Sequence, residues 1–118
     1  MRFDVTGEGE HKIAELVSDE VCLKTAGDAL DIMVAAGARI IILHVRQITP
    51  DFFRLPTGLL GDVLQKFTNY RVRCAFVGDL TPYLTKNFSD FTGESNRAGN
   101  FLFVATKEEA VRRWAPLP

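Results

Sequence analysis

Residues 39–45 constrain the fold most. Ile40, Ile41, Ile42 and Leu43 put apolar side chains at four consecutive positions, with Val45 one residue beyond His44, and a strand sends alternate side chains to opposite faces. Such a strand has no water-facing side, so it belongs inside a sheet covered by helices on both faces. Val72 to Val77 reads as a second strand of this kind.

The flanking segments supply the helices. From Lys24 to Ala36, Ala26, Ala29, Leu30, Met33 and Ala36 recur at helical spacing, and Gly37 stops the run. A second helix is expected from Pro56 to Asn69, with Pro56 at the first position and Leu59, Leu60, Val63, Leu64 and Phe67 on its apolar face. Thr81-Pro82 reads as an N-cap opening a third helix with Leu84, Phe88 and Phe91 on one side, and 93–99 as a polar loop. Met1 to Val5 and Lys12 to Val17 read as a hairpin joined at Gly7-Glu8-Gly9-Glu10. Phe101 to Ala105 is a last strand. Thr106-Lys107-Glu108-Glu109 has the pattern of a capping box and opens a final helix with Ala110, Val111 and Trp114 inward. Pro116 and Pro118 close the chain. The expected order is β-β-α-β-α-β-α-β-α, an α/β fold with a mixed, mostly parallel sheet and flanking helices.

Length and composition place this pattern in one domain, residues 1–118. A chain of 118 residues that is 47% hydrophobic buries roughly two-thirds of its unfolded surface, enough for an independent core. Its 14 basic and 15 acidic residues are interspersed and sum to a net charge of −1. That balance argues against nucleic-acid binding, which depends on a basic patch to neutralise phosphates. Cys22 and Cys74 are isolated from each other and from any second thiol, so neither a disulfide framework nor a zinc site is expected. Reduced thiols, with no basic-then-apolar leader and no long apolar run, lead to the expectation of a cytoplasmic protein off the membrane. No cofactor and no metal are expected, since His11 and His44 stand alone and no carboxylates have ligand spacing.

Two places could carry function. His44, Asp51, Asp79 and Thr81 fall at or beyond the carboxyl ends of the two interior strands, the edge where open α/β sheets bind ligands. No nucleophile accompanies His44, and the chain is expected not to be an enzyme. Phe52, Phe53 and Leu55 form an apolar loop before the second helix. Of two adjacent phenylalanines, one is expected in the core and the other exposed, marking a contact with a protein partner or with a second copy in a homodimer. Glu94-Ser95-Asn96 either binds something or satisfies backbone groups in a tight connection; the second is favoured.

Residues 57–72, from Thr57-Gly58-Leu59-Leu60-Gly61-Asp62 through Tyr70-Arg71-Val72, together with Ala75-Phe76-Val77-Gly78-Asp79 and Glu94-Ser95-Asn96, resemble the DUF4180 family of unknown function. With Ala29-Leu30-Asp31 and Lys107-Glu108-Glu109-Ala110 added, the resemblance spans nearly the whole chain. The element order is more distantly similar to STAS domains, the fold of bacterial anti-sigma-factor antagonists. There the residue before the first glycine at the start of the helix after the third strand is a phosphoacceptor. Thr57-Gly58-Leu59 sits at the matching place, while Leu55 and Pro56 stand where an acidic residue and a serine are usual. The resemblance implies a STAS-like regulatory or protein-interaction domain with a phospho- or anion-responsive site at Thr57 and Gly58. A phosphate there would meet free backbone N–H groups and the positive end of the helix dipole. A threonine at this place also serves simply as a cap. The competing reading is a small-molecule or anion-binding module, or a small enzyme, built on the crevice near His44.

Overall fold

The structure, a computed structural model, describes residues 1–114; Pro116 and Pro118 lie outside the described residues. In chain order the elements are β1 (Arg2–Thr6), β2 (Ile13–Val17), α1 (Ala26–Ala36), β3 (Ile40–His44), α2 (Leu59–Asn69), β4 (Arg73–Val77), α3 (Lys86–Ala98), β5 (Phe101–Val104) and α4 (Lys107–Trp114). The sheet runs β1-β2-β3-β4-β5. β1 is antiparallel to β2, and every later neighbour is parallel.

This order decides which helix lies where. Consecutive parallel strands advancing one way across a sheet, each joined by a right-handed crossover, put all their connecting helices on one face. Ala14, Leu16, Ile41, Leu43, Cys74, Phe76 and Phe103 pack there against Ala29, Ile32 and Met33 of α1, Leu60, Val63 and Phe67 of α2, and Phe88 of α3. Among the described residues the opposite face receives only α4, whose Ala110 and Trp114 sit on Ile42, Ala75, Val77, Leu102 and Val104. Ile42 therefore faces one helix layer and Ile41 the other, as expected of a strand apolar on both sides.

Helix boundaries show what local polar groups do. α1 starts at Ala26, two residues later than the spacing predicts. Thr25 accepts from the Asp28 N–H at 3.1 Å, and the Asp28 carboxylate accepts from the backbone N–H groups of Thr25 and Lys24 at 3.1 and 2.9 Å; the reciprocal pair sets the first turn. α2 starts at Leu59, not at Pro56. Pro56 belongs to a separate 3₁₀ turn, Leu55–Thr57, and Gly58, at φ +77°, breaks that turn from the helix in a conformation that disfavours a Cβ.

α3 departs most from expectation. Thr81–Tyr83 forms a 3₁₀ turn, the N-cap is Thr85, and Leu84 ahead of it is exposed. The helix then runs through residues 93–98, which the sequence reading assigns to a loop, and ends at Gly99 with φ +90°. The polar run is helical because its side chains have work on the sheet. Asn96 accepts from the Phe103 N–H at 2.7 Å and donates to the Phe103 carbonyl at 3.1 Å, and the Ser95 hydroxyl donates to the Phe101 carbonyl. Asn96 thus stands in for a neighbouring strand along the outer edge of β5. In α4, Ala110 is buried and Trp114 donates its ring N–H to the Gly99 carbonyl at 2.8 Å, but Val111 is exposed, not inward.

Asn96→Ala leaves both backbone groups of Phe103 without their partner and is expected to cost about 1–3 kcal/mol. Asn96→Asp keeps the acceptor and should lose less. Urea unfolding of the three proteins measures this; equal midpoints would mean that water serves the edge as well as the side chain.

Candidate functional site

The carboxyl ends of β3 and β4, with the start of α4, enclose an open crevice of about 720 Å³ lined by Glu15, His44, Arg46, Gly78, Asp79, Tyr83, Thr106 and Lys107, among others. At its floor three ionisable side chains from three separate elements meet. His44 Nε2 lies 2.7 Å from one carboxylate oxygen of Glu15, and Lys107 Nζ lies 3.1 Å from the other. The His44 and Glu15 side chains are each only 18% exposed, while Lys107 is 50% exposed. Against a carboxylate, Nε2 carries the proton and donates.

Backbone topology makes this meeting possible. Glu15 points to the α4 side of β2, where the short α4 leaves the sheet uncovered, and β2 pairs in parallel with β3. Gln47, in the 3₁₀ turn Val45–Gln47, fixes the exit of β3. It is fully buried; its carbonyl oxygen Oε1 accepts from the His44 N–H at 3.0 Å, and Nε2 donates to the carbonyls of Leu16 and Ser18 at 3.0 and 3.1 Å. Its backbone carbonyl accepts from Cys22 and Leu23. One glutamine therefore ties the ends of β2 and β3 together. Gly78 lets β4 turn away beside them at φ +142°, a position where a Cβ would stand 3.0 Å from Val45 Cβ.

Burial pushes the Glu15 carboxyl up, but hydrogen bonds from His44 and Lys107 outweigh it, and the carboxyl sits below the ordinary carboxylate value. The hydrogen bond to Glu15 raises the Lys107 ammonium in turn. Asp79 is turned onto its own loop. The Thr81 N–H donates to it at 2.9 Å, and its hydrogen bonds with Thr81 lower its carboxyl.

Of the residues expected in the crevice, His44 and Asp79 line it. Thr81 lines the adjoining hollow with Gly78 and Asp79. Asp51 is exposed on the following loop, where it pairs with Arg54 at 3.1 Å. Glu15 and Lys107 escaped the sequence reading although each left a trace. Glu15 is the lone carboxylate in the apolar run Ile13–Val17, and Lys107 is a cation in the first turn of a helix, where the dipole favours acids.

The apolar loop needs correction. Phe52 and Phe53 are both buried, at 0% and 2% exposure, so neither ring marks a contact surface. The 3₁₀ turn Pro50–Phe53 drives both inward: Phe52 packs edge-on to Phe53 and against Phe76, while Phe53 stacks on Tyr83 at 4.7 Å. Leu55 is half-buried against the same core. Thr57 and Gly58 are exposed. The Thr57 hydroxyl donates within its own loop, to the carbonyls of Asp51 and Arg54 at 2.8 and 2.9 Å, and accepts from the Leu59 N–H at 3.3 Å.

Cys22 and Cys74 are free thiols, and complete burial pushes Cys74 well up. Among the described residues no three His, Cys, Asp or Glu side chains are grouped to hold a metal, and no helix is long and apolar enough to cross a membrane.

Because Glu15 titrates below the ordinary value of 4.5 in the folded state, its contribution to stability is complete above that value. It is lost as pH falls through the lowered folded value. Glu15→Gln is therefore expected to be less stable than wild type by about 1–3 kcal/mol at neutral pH. The gap should close in strong acid. Urea unfolding at several pH values reads it; a gap independent of pH would show that the carboxylate charge contributes nothing.

Comparison with known proteins finds one family, described as Domain of unknown function (DUF4180), which matches residues 8–114. No curated protein and no solved structure matches the chain.

Proposed function

We propose, for a chain that belongs to the DUF4180 family, that the crevice at the carboxyl ends of β3 and β4 is its working surface and binds a small anionic ligand, a carboxylate or a phosphate. The convergence of Glu15, His44 and Lys107 carries this reading. A half-buried ionisable cluster in a concave site at this edge of a parallel sheet is a candidate binding site on physical grounds.

The charges support an anion over a cation. Glu15 is engaged by His44 and Lys107, and Asp79 by Thr81. The groups left facing the opening are the half-exposed Lys107 ammonium, Arg46, which is exposed and makes no ion pair among the described residues, and the exposed Glu108 carboxylate, so two cations stand against one free acid. Binding is favoured over catalysis because among the described residues no hydroxyl or thiol hydrogen-bonds to the His44 ring, which is held by Glu15. Burial of Phe52 and Phe53 weighs against a docking surface on the 52–55 loop. A distant STAS relation belongs to the same proposal. It is supported by the element order and by Thr57-Gly58-Leu59 at the start of α2, and it would make the ligand a regulatory signal in the cytoplasm.

Amide-resolved NMR titration with inorganic phosphate and with succinate tests the site. Shifts are expected at residues 44–46, 78–81 and 105–108, with affinity falling as salt is added. Lys107→Ala and Arg46→Ala should each weaken binding about tenfold, the loss of one charge-assisted hydrogen bond. No response to either anion, or undiminished affinity in both variants, overturns the reading.

A further inference from the structure

The two edges of the sheet are finished differently. The outer edge of β5 is closed by the side chains of Ser95 and Asn96. β1, at the other end, pairs with β2 alone among the described residues, and four of its five residues are exposed. Alternate residues of such a strand turn their N–H and C=O groups outward, a template for a further strand.

We propose that β1 pairs with β1 of a second copy, antiparallel about a two-fold axis, joining two five-stranded sheets into one. The side-chain pattern of the strand selects the occupant and the register. Phe3 lies on the face of β1 that carries the three-helix layer, where it packs on the core, and Met1 and Val5 share its phase; Met1 is 66% and Val5 50% exposed. Arg2 and Asp4 lie on the other face, where Asp4 stands opposite Glu15.

If Phe3 sits on the axis, opposite its own copy, Arg2 of each strand faces Asp4 of the other. Met1 then faces Val5. Two opposite-charge pairs and three apolar pairs result, each on its own face, and directly opposed pairs of these types stabilise a sheet. Moving the axis to Asp4 would set the two Asp4 carboxylates against each other. Moving it between residues 3 and 4 would set Phe3 against Asp4. The strand is complementary to itself in one register. Arg2 and Asp4 already attract within one chain at 3.8 Å while remaining 76% and 62% exposed, so the pairing exchanges a loose contact for a fixed one. Five residues make a small interface, and the dimer is reversible and concentration-dependent.

Sedimentation velocity of the full chain from micromolar to millimolar concentration tests this, with far-UV circular dichroism as the check on folding. Wild type is expected to shift from the 13.2 kDa monomer toward twice that mass. Asp4→Arg sets two arginines opposite two arginines and should weaken the dimer about tenfold or more. The double variant Arg2→Asp with Asp4→Arg re-creates both pairs and should restore it. A wild-type chain that stays monomeric throughout, an Asp4→Arg chain that dimerises as well as wild type, or a double variant that fails to recover would each overturn the proposal. None of these outcomes bears on the anion crevice, which is read by titration and not by mass.

Discussion

Parallel strands need apolar cover on both faces, and here the two faces are served unequally. Three crossover helices lie on one side because the strands advance in sequence across the sheet. Among the described residues only the eight-residue α4 returns to the other. α4 covers the β4 and β5 side of this face and touches β2 through Lys107, which reaches Glu15. The remaining strip suits Asp4 and Glu15, since a carboxylate under a full helix layer is costly unless it is fully paired. The position of the ionisable cluster follows from the length of one helix.

Polar side chains hold the connections of this fold in place of regular backbone pairing. Gln47 closes the exits of β2 and β3, Asn96 closes the edge of β5, Asp28 closes the start of α1, and Thr57 closes the turn before α2. Each gives otherwise stranded N–H or C=O groups a partner. Among the described residues no buried side-chain nitrogen or oxygen lacks one. Gln47 matters most for the crevice, because the backbone N–H it accepts from belongs to His44.

The crevice and the β1 edge sit at opposite extremes of preparation. Glu15, His44 and Lys107 are already oriented by one another, so an incoming anion would meet a cation held in place and lose less freedom on binding. β1 is prepared only in its sequence, through the alternation of Arg2 and Asp4 with Met1, Phe3 and Val5. The 52–55 loop, apolar enough to suggest a docking surface, is instead the plug that fills the core above Phe76.

Period and punctuation alone determined the element order, the doubly covered β3, the end of α1 at Gly37 and the capped start of α4, because these depend on neighbours within a few residues. Where two local readings compete, as at Pro56-Thr57-Gly58 or in the polar stretch 93–98, only tertiary contacts decide. A turn hydrogen bond from Thr57 and a strand waiting for Asn96 tipped the balance. The burial of both phenylalanines was likewise beyond sequence, since it depends on space left by Phe76, Tyr83 and Phe88. So was the joining of Glu15 to Lys107 across 92 residues: a charge alone in an apolar strand signals that a partner is needed, and only the folded sheet says which one comes.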